Sequence, residues 1–261
     1  MSDQTVGVPV VPAATILLLR DAPAFEVLMV QRHHQIDFAA GALVFPGGKS
    51  HASDHDPRWA DRTLGWDATP AEQRALRIAA IREAYEETGI LLARHVDGTP
   101  FRGDERAGAR RPSVVAAADD FLSLCEDMDL ALDLAALTVF ARWVTPAMMP
   151  KRFDTWFFLS AAPPDQLAQC DGWETVDAEW IEPRRALALA AAGERSVIFP
   201  TRMNLRLLAE SANASEARSR AEARTLVTVE PKMIDGPDGR FLVIPSDAGY
   251  GEVSVPASSL P

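Results

Sequence analysis

Cysteine is scarce in this chain. Cys125 and Cys170 are the only two cysteines in 261 residues, and they form no closely spaced motif. Two separated thiols in a chain of this length do not provide a disulfide framework. The sequence therefore predicts two reduced, structural cysteines.

Long apolar runs are also absent, since no stretch reaches the roughly eighteen to twenty apolar residues of a membrane-spanning helix. The N-terminal segment MSDQTVGVPVVPAATILLLRD has no basic region before its short apolar run, whereas a secretory signal begins with basic residues. The sequence thus predicts a cytoplasmic protein with no membrane partner.

Positive charge is limited as well, because 26 lysine and arginine residues face 37 aspartate and glutamate residues, giving a formal net charge of −11. Binding to long nucleic acids or to anionic membranes depends on basic patches, so this balance disfavours both kinds of partner. A small anionic ligand held by a local cation is compatible with it.

The sequence contains an ordinary globular composition, 48% hydrophobic and 24% charged, without repeats or a dividing linker. This predicts one mixed α/β domain over 1–261. Apolar runs and turn residues predict strands, helices and a final hairpin with an Asp-Gly turn. The predicted segments are a hairpin in AATILLLRD and FEVLMVQRH, a third strand in GALVFPGGK, an ordered loop or short helices at about 50–68, helical character in PSVVAAADDFLSLCEDMDLAL, strands in LTVFARWVTP and RFDTWFFLSAAP, a strand and helix in DAEWIEPRRALALAAAG, and a helix followed by the hairpin at about 201–250.

A helix is predicted from about Pro70 to Thr88. Thr69 can cap it in a capping box with Glu72, and Gly89 provides a stop. At 100° per residue, the apolar residues lie on one side of the predicted helix and three glutamates lie on the opposite side. We expect the side that carries the glutamates to be exposed. The two sets are Ile78, Ile81, Tyr85 and Thr88, and Glu83, Glu86 and Glu87.

The three glutamates belong to the pattern R-E-x-x-E-E-x-G, from Arg82 to Gly89. Five fixed positions match by chance about once in three million starting points at average residue usage. Like charges one helical turn apart are destabilising, so either solvent screens them or a cation binds between them.

These residues resemble the signature of the Nudix hydrolases, G-x5-E-x7-R-E-U-x-E-E-x-G-U, where U is a bulky aliphatic residue. Gly48 matches the first glycine, and Arg82–Ile90 match in place except that Ala84 is smaller than usual. Asp54 stands at the early glutamate, and 27 residues (55–81) follow it instead of seven. The strands around GALVFPGGK and RFDTWFFLS resemble the long-insertion branch that includes the mammalian peroxisomal coenzyme A diphosphatase.

The resemblance implies a Nudix fold, a mixed sheet between helices (α/β/α) with an insertion inside the box. It also implies metal-dependent hydrolysis of a diphosphate linked to another moiety, with coenzyme A or acyl-CoA ranked first. NADH, ADP-ribose or a nucleotide sugar are alternative substrates, and a non-catalytic ligand-binding module is the alternative to an enzyme. A homodimer is compatible with the sequence.

By the same resemblance, Mg²⁺, or Mn²⁺ in its place, is held by three glutamates and the carbonyl of Gly48, while Arg82 orients the glutamates. The general base is Glu83 or a later carboxylate such as Glu174, Asp177 or Glu179. Candidate phosphate contacts are the basic side chains of Arg32, Lys151 and Arg152, and a solvated cation is the alternative for Lys151 and Arg152.

Three further expectations concern other residues. His51 and His55 have helical spacing but no third ligand in view, which disfavours zinc. The aromatic residues from Trp156 to Phe158 are expected in the core together with Trp143. The segment at about 50–68 should be ordered, either near the mouth of the site, where it would limit the substrate, or as a remote decoration.

Overall fold

The computed structural model describes residues 8–33, 40–170, 175–236, 239–251 and 254–259. Fourteen strands lie within these residues: β1 (Val10–Arg20), β2 (Glu26–Arg32), β3 (Leu43–Val44), β4 (Gly47–Lys49), β5 (Thr63–Leu64), β6 (Ala93–His95), β7 (Leu130–Asp133), β8 (Thr138–Val144), β9 (Arg152–Ala161), β10 (Thr175–Ile181), β11 (Thr228–Val229), β12 (Lys232–Gly236), β13 (Gly239–Val243) and β14 (Ser254–Pro256).

Six α-helices and several short 3-10 helices connect these strands within the described residues. The α-helices are α1 (Ala71–Thr88), α2 (Glu105–Ala116), α3 (Asp120–Asp127), α4 (Pro183–Ala191), α5 (Phe199–Leu208) and α6 (Ala214–Ala223). The 3-10 helices are Ala52–His55, Pro57–Arg62, Leu134–Ala136, Ser246–Ala248 and Ala257–Ser259. None of the described helices is both long and apolar enough to cross a membrane.

The central sheet has the strand order β10-β2-β1-β9-β8-β11. β1 runs antiparallel to β2 and parallel to β9, with Val10 opposite Arg152 and Leu19 opposite Ala161. The short strands β3 and β4 pair with β2 and β1, and β4 places Gly48 opposite Ala14. The sheet is therefore mixed, and β4 lies along the first half of β1.

Two hydrophobic clusters cover the two faces of this sheet. Side chains alternate between faces along a strand, so Ile16 and Phe158 pack toward α1, whereas Leu17 and Phe157 pack toward α5 and α6. The predicted α/β/α arrangement is confirmed. The tryptophans and phenylalanines expected in the core are buried, and they are Trp143, Trp156, Phe157 and Phe158.

The start of α1 differs from the prediction. Pro70 occupies the N-cap position with no side-chain cap, because the hydroxyl of Thr69 donates to the carbonyl of Gly65 at 2.8 Å. The predicted capping box is therefore wrong. The predicted end is confirmed, since Gly89 adopts a left-handed conformation with φ of 75° and its N–H donates to the carbonyl of Tyr85.

The C-terminal third also differs in detail. The single helix predicted from Thr201 is divided into α5 and α6, because the side chain of Asn213 accepts a hydrogen bond from the N–H of Glu216 and starts a new helix. β12 and β13 form the predicted hairpin, although its Asp238 lies outside the described residues, and β14 adds a third strand.

Candidate active site

Helix α1 carries its carboxylates beneath the glycine turn of β4. The N–H of Gly47 donates to Oε2 of Glu87 at 3.0 Å. A Cβ atom on Gly48 would lie 2.5 Å from both carboxylate oxygens of Glu83, and one on Gly47 would lie 2.5 Å from the carbonyl of Ala14. Only glycine permits this approach of backbone to carboxylate, which explains the Gly-Gly pair at the end of FPGG.

Arg82 is the centre of the polar network. Its Nε and Nη2 donate to the two carboxylate oxygens of Asp54 at 2.9 and 3.1 Å. Its Nη1 donates to Glu83 at 2.9 Å and to Glu86 at 3.0 Å, and Nη2 also donates to the carbonyl of Lys49 at 2.8 Å. The guanidinium fork therefore links α1, β4 and the first 3-10 helix.

The carboxylate face of α1 is buried, contrary to our expectation of an exposed face. The exposed fraction is 9% for Glu83, 2% for Glu87 and 2% for Asp54. The cause is long-range, because β4 and the 3-10 helix around Asp54 cover the face that helical periodicity alone assigns to solvent.

Negative charge exceeds positive charge in this network. Arg82 forms ion pairs with Asp54, Glu83 and Glu86, and Glu87 lies one turn further along α1, where it accepts from the N–H of Gly47. Burial opposes the charge of Arg82, but its hydrogen bonds to Asp54 and the neighbouring carboxylates outweigh burial and raise its pKa. Carboxylates one helical turn apart, such as those of Glu83 and Glu87, repel one another. An additional cation would offset that repulsion.

The donor set fits a hard divalent cation. The available atoms are oxygens from the carboxylates of α1, with the backbone of Gly48 against Glu83. Within the described ranges, no three histidine, cysteine, aspartate or glutamate side chains already form a closed metal-binding group. Mg²⁺ does not require one, since it commonly binds through one or two carboxylates together with waters and substrate phosphates.

Comparison with known proteins identifies the family. The family model for the NUDT19 Nudix domain matches residues 60–206, more than half of the chain. The chain belongs to the Nudix hydrolase family. It is 28% identical to the human acyl-coenzyme A diphosphatase NUDT19 over 89% of this chain and 74% of the relative, and 26% identical to the protein of that name from Xenopus laevis over 87% and 72%.

A solved structure supports the same assignment. The Nudix hydrolase from Alicyclobacillus acidocaldarius superposes with a TM-score of 0.74 at 31% identity, covering 81% of this chain and 96% of that chain. The Nudix resemblance drawn from Gly48 and Arg82–Ile90 is therefore confirmed, as is the Nudix fold.

Arg32 is linked to the end of α1 through Thr175. It is opposite Thr175 in the β2–β10 pairing, and the hydroxyl of Thr175 donates to the carbonyl of Glu87 at 3.3 Å. Nε of Arg32 is buried and has no hydrogen-bond partner in the described structure. A half-buried guanidinium at this position is compatible with the predicted phosphate contact.

Arg152 and Lys151 lie elsewhere. Arg152 is opposite Val10, whereas Gly48 is opposite Ala14 on the other side of β1, a displacement of roughly 13 Å along the strand at about 3.3 Å per residue. The guanidinium of Arg152 also binds Glu230 at 2.7 Å. The structure therefore does not bring Arg152, or the adjacent exposed Lys151, to the carboxylates.

Three carboxylates later in the chain are the other candidates for the general base, and they are Glu174, Asp177 and Glu179. Glu174 lies outside the described residues. Asp177 is exposed on β10, and Glu179 pairs with Arg195 at 3.4 Å. The choice of general base therefore stays a prediction.

The two histidines with helical spacing do not meet at a metal site. His51 and His55 are exposed, and they contact Ser53 and Ser50 respectively. His51 also lies 3.5 Å from Asp119. The expectation against zinc at these residues stays a prediction.

The contacts of two residues at the Nudix box, Asp54 and Arg111, were not predicted from the sequence. Asp54 has the spacing from Gly48 that the Nudix signature requires, and this spacing could have identified it as a site residue. The long interval between Asp54 and Arg82 makes that match hard to recognise. Arg111 of α2 donates from Nε to the carbonyl of Glu86 at 2.9 Å and so binds the last turn of α1. No motif points to Arg111, because it lies 25 residues from its partner.

Proposed function

We propose that this Nudix hydrolase cleaves the diphosphate bond of coenzyme A and its acyl esters in the cytoplasm, with Mg²⁺ as the preferred metal and Mn²⁺ as a substitute. The observation that carries the proposal is the network beneath a Gly-Gly turn, in which the three glutamates of α1 lie together and Arg82 binds two of them. The choice of substrate rests on two relatives that are named acyl-coenzyme A diphosphatases.

The α1 carboxylates of Glu83, Glu86 and Glu87, with the carbonyl of Gly48, would hold the metal. When bound, a divalent ion neutralises phosphate charge and lowers the pKa of a bound water. Arg82 fixes the direction of two of these carboxylates through Nη1, and its bidentate contact with Asp54 holds the guanidinium in one orientation better than an ammonium group could be held. Fixed carboxylates reduce the reorganisation needed during the reaction.

Substrate phosphates would approach from the side of β2 and β10. We propose that Arg32 contacts them, because its Nε is buried without a hydrogen-bond partner near the end of α1. The proton acceptor for the attacking water is assigned to Glu83 or Glu174. Lys151 and Arg152 are retained only as contacts to distant parts of a long substrate.

A substrate panel tests the reaction. Coenzyme A, an acyl-CoA, NADH, ADP-ribose and a nucleotide sugar are incubated with and without Mg²⁺, and products are separated by chromatography. We expect 3′,5′-ADP and 4′-phosphopantetheine from coenzyme A, only with metal. A far higher kcat/KM for ADP-ribose or NADH would reject the coenzyme A assignment, and no turnover of any substrate would favour the non-catalytic module.

A paired substitution tests the site. Glu87→Gln keeps the shape of the side chain and an oxygen that can accept from Gly47, but removes the charge. We expect kcat to fall by orders of magnitude while the thermal midpoint changes little, because repulsion within the network decreases. Glu72→Gln, at an exposed position in the first turn of α1, is the matched control. Nearly full magnesium-dependent activity of Glu87→Gln would show that the metal site is elsewhere.

A further inference from the structure

A cavity of about 490 Å³ lies at the β8 edge of the sheet, between the 65–69 turn, the first half of α1 and helix α6. It shares no lining residue with the Nudix carboxylate network. Its lining combines apolar and charged side chains. The apolar residues are Leu137, Val139, Phe140 and Leu226, and the charged residues are Arg77, Arg218, Arg224 and Glu222.

The cavity carries unbalanced positive charge. Arg218 is neutralised by Glu222 at 2.7 Å. Neither Arg77 nor Arg224 forms an ion pair with any described residue; Arg77 donates to the carbonyl of Leu134 at 2.7 Å and to that of Leu137, and Arg224 donates to the carbonyl of Phe140. Arg77 also donates from Nε and Nη2 to Oε1 of Gln73 at 3.3 and 3.0 Å, so its hydrogen-bond partners are neutral oxygens.

Both guanidinium groups are partly withdrawn from water. Arg77 and Arg224 are both half-buried, and this burial lowers the pKa of each guanidinium from its usual value. Arg77 lies over the ring of Phe158 and Arg224 over that of Phe140, with distances of 5.3 and 5.0 Å to the ring centres. An anion in the cavity would supply the missing counter-charge, in a chain whose net charge is otherwise −11.

We propose that this cavity is a second binding site, for an amphipathic organic anion that places an acidic headgroup between Arg77 and Arg224 and an apolar body against Val139, Phe140 and Leu226. The combination of guanidinium groups and apolar side chains in one lining selects this class, since a small inorganic anion would leave the apolar side chains uncovered. Leu226 lines the cavity and is 41% exposed, so its side chain is accessible to a ligand.

Calorimetric titration with octanoate tests the proposal. Arg224→Gln should weaken octanoate binding about tenfold or more, because hydrogen bonds to charged groups contribute at that level. Arg184→Gln is the matched control, since Arg184 also donates to one backbone carbonyl, that of Ala209, but lies outside the cavity lining. Arg184→Gln should bind octanoate as the wild type does.

A second variant guards against misfolding of Arg224→Gln. Leu226→Glu introduces a carboxylate with the same negative charge as octanoate, so it should repel octanoate. Because position 226 is exposed, the fold should be retained. Equal octanoate affinity in the wild type and in folded Leu226→Glu would overturn the proposal. So would octanamide or inorganic phosphate binding as tightly as octanoate. The titrations use magnesium-free protein, so their result is independent of the diphosphatase assay.

Discussion

Replacing Asp54 with asparagine tests whether the 3-10 helix after β4 holds the Nudix arginine in place. Asp54 is 2% exposed, and its two oxygens bind Nε and Nη2 of Arg82 at 2.9 and 3.1 Å. Oδ2 also accepts from the N–H of His51 at 2.7 Å. Asparagine has nearly the same shape but one acceptor oxygen and no charge, so its amide group would face a guanidinium donor.

The magnitude follows from the partners that Arg82 retains. A hydrogen bond to a charged group contributes about 1.5–3 kcal/mol, and breaking a buried ion pair costs about 3–5 kcal/mol. Arg82 keeps its bonds to Glu83, Glu86 and the Lys49 carbonyl, and removing one carboxylate reduces repulsion among the others. We therefore expect Asp54→Asn to lower the free energy of unfolding by about 2–3 kcal/mol, at the lower end of these values.

Turnover should fall as well, because Arg82 orients the metal-binding glutamates. Loss of groups that orient metal ligands typically costs about 10–100-fold in activity or metal affinity. Urea denaturation gives the unfolding free energy, and kcat is measured at saturating Mg²⁺. Asp61→Asn, an exposed aspartate in the same segment, changes the net charge equally and is the control. An unfolding free energy within about 0.5 kcal/mol of wild type, together with unchanged kcat, would refute the positioning role of Asp54.

Three other predictions concern single residues. Gly48→Ala places a methyl group 2.5 Å from both oxygens of a buried carboxylate and should reduce kcat, whereas Gly108→Ala, which meets open space, should not; equal kcat values would contradict the close approach. Cys125 is buried, which raises the pKa of its thiol, and Cys170 is half-buried, so a maleimide should label Cys170 in the native protein and both thiols in urea. Native labelling of Cys125 would count against this packing. Burial raises the pKa of Tyr250 from 10.0 to about 12, so its stabilising contribution is complete below pH 10 and is lost as pH rises toward 12. Urea denaturation across this pH range should show a smaller loss of unfolding free energy for Tyr250→Phe than for the wild type. The same dependence of unfolding free energy on pH in both proteins would contradict the prediction.

Local pattern was sufficient for the elements that carry the site. The apolar runs around Ile16 and Met29 predicted the β1–β2 hairpin, and the 3.6-residue period from Ile78 to Thr88 predicted α1. The spacing of the glutamates placed them on one face of that helix. These predictions succeeded because each depends on neighbours within two helical turns or one strand.

Burial of that face could not be predicted in the same way. Helical periodicity identifies the side opposite Ile78 and Tyr85, but it does not state what covers that side. The covering groups are Gly47, 40 residues from its partner Glu87, and Asp54, 28 residues from Arg82. Contacts over such separations depend on the strand register, in which β4 pairs with β1, and no local pattern encodes that register.

The long insertion inside the box shows how the site tolerates a change in chain length. Extending the interval between Asp54 and Arg82 from seven to 27 residues adds about 1.2 kcal/mol of loop-closure cost. The inserted segment offsets this cost by burying Trp59, which is 1% exposed and packs 5.6 Å from the ring of Phe121, since a large buried side chain contributes about 1.5–3 kcal/mol.

The position of the insertion matters more than its length. The insertion follows Asp54, whose contact with Arg82 joins residues 28 positions apart in the sequence. Because this contact does not depend on the length of the chain between the two residues, a longer loop can connect them without moving either side chain. Between Arg82 and Gly89 the contacts depend on helical spacing, where each added residue would rotate the glutamates by about 100°. An insertion there would separate Glu83 from Glu87 on the surface of α1 and destroy the network, so the tolerated place for extra chain is the one that this sequence uses.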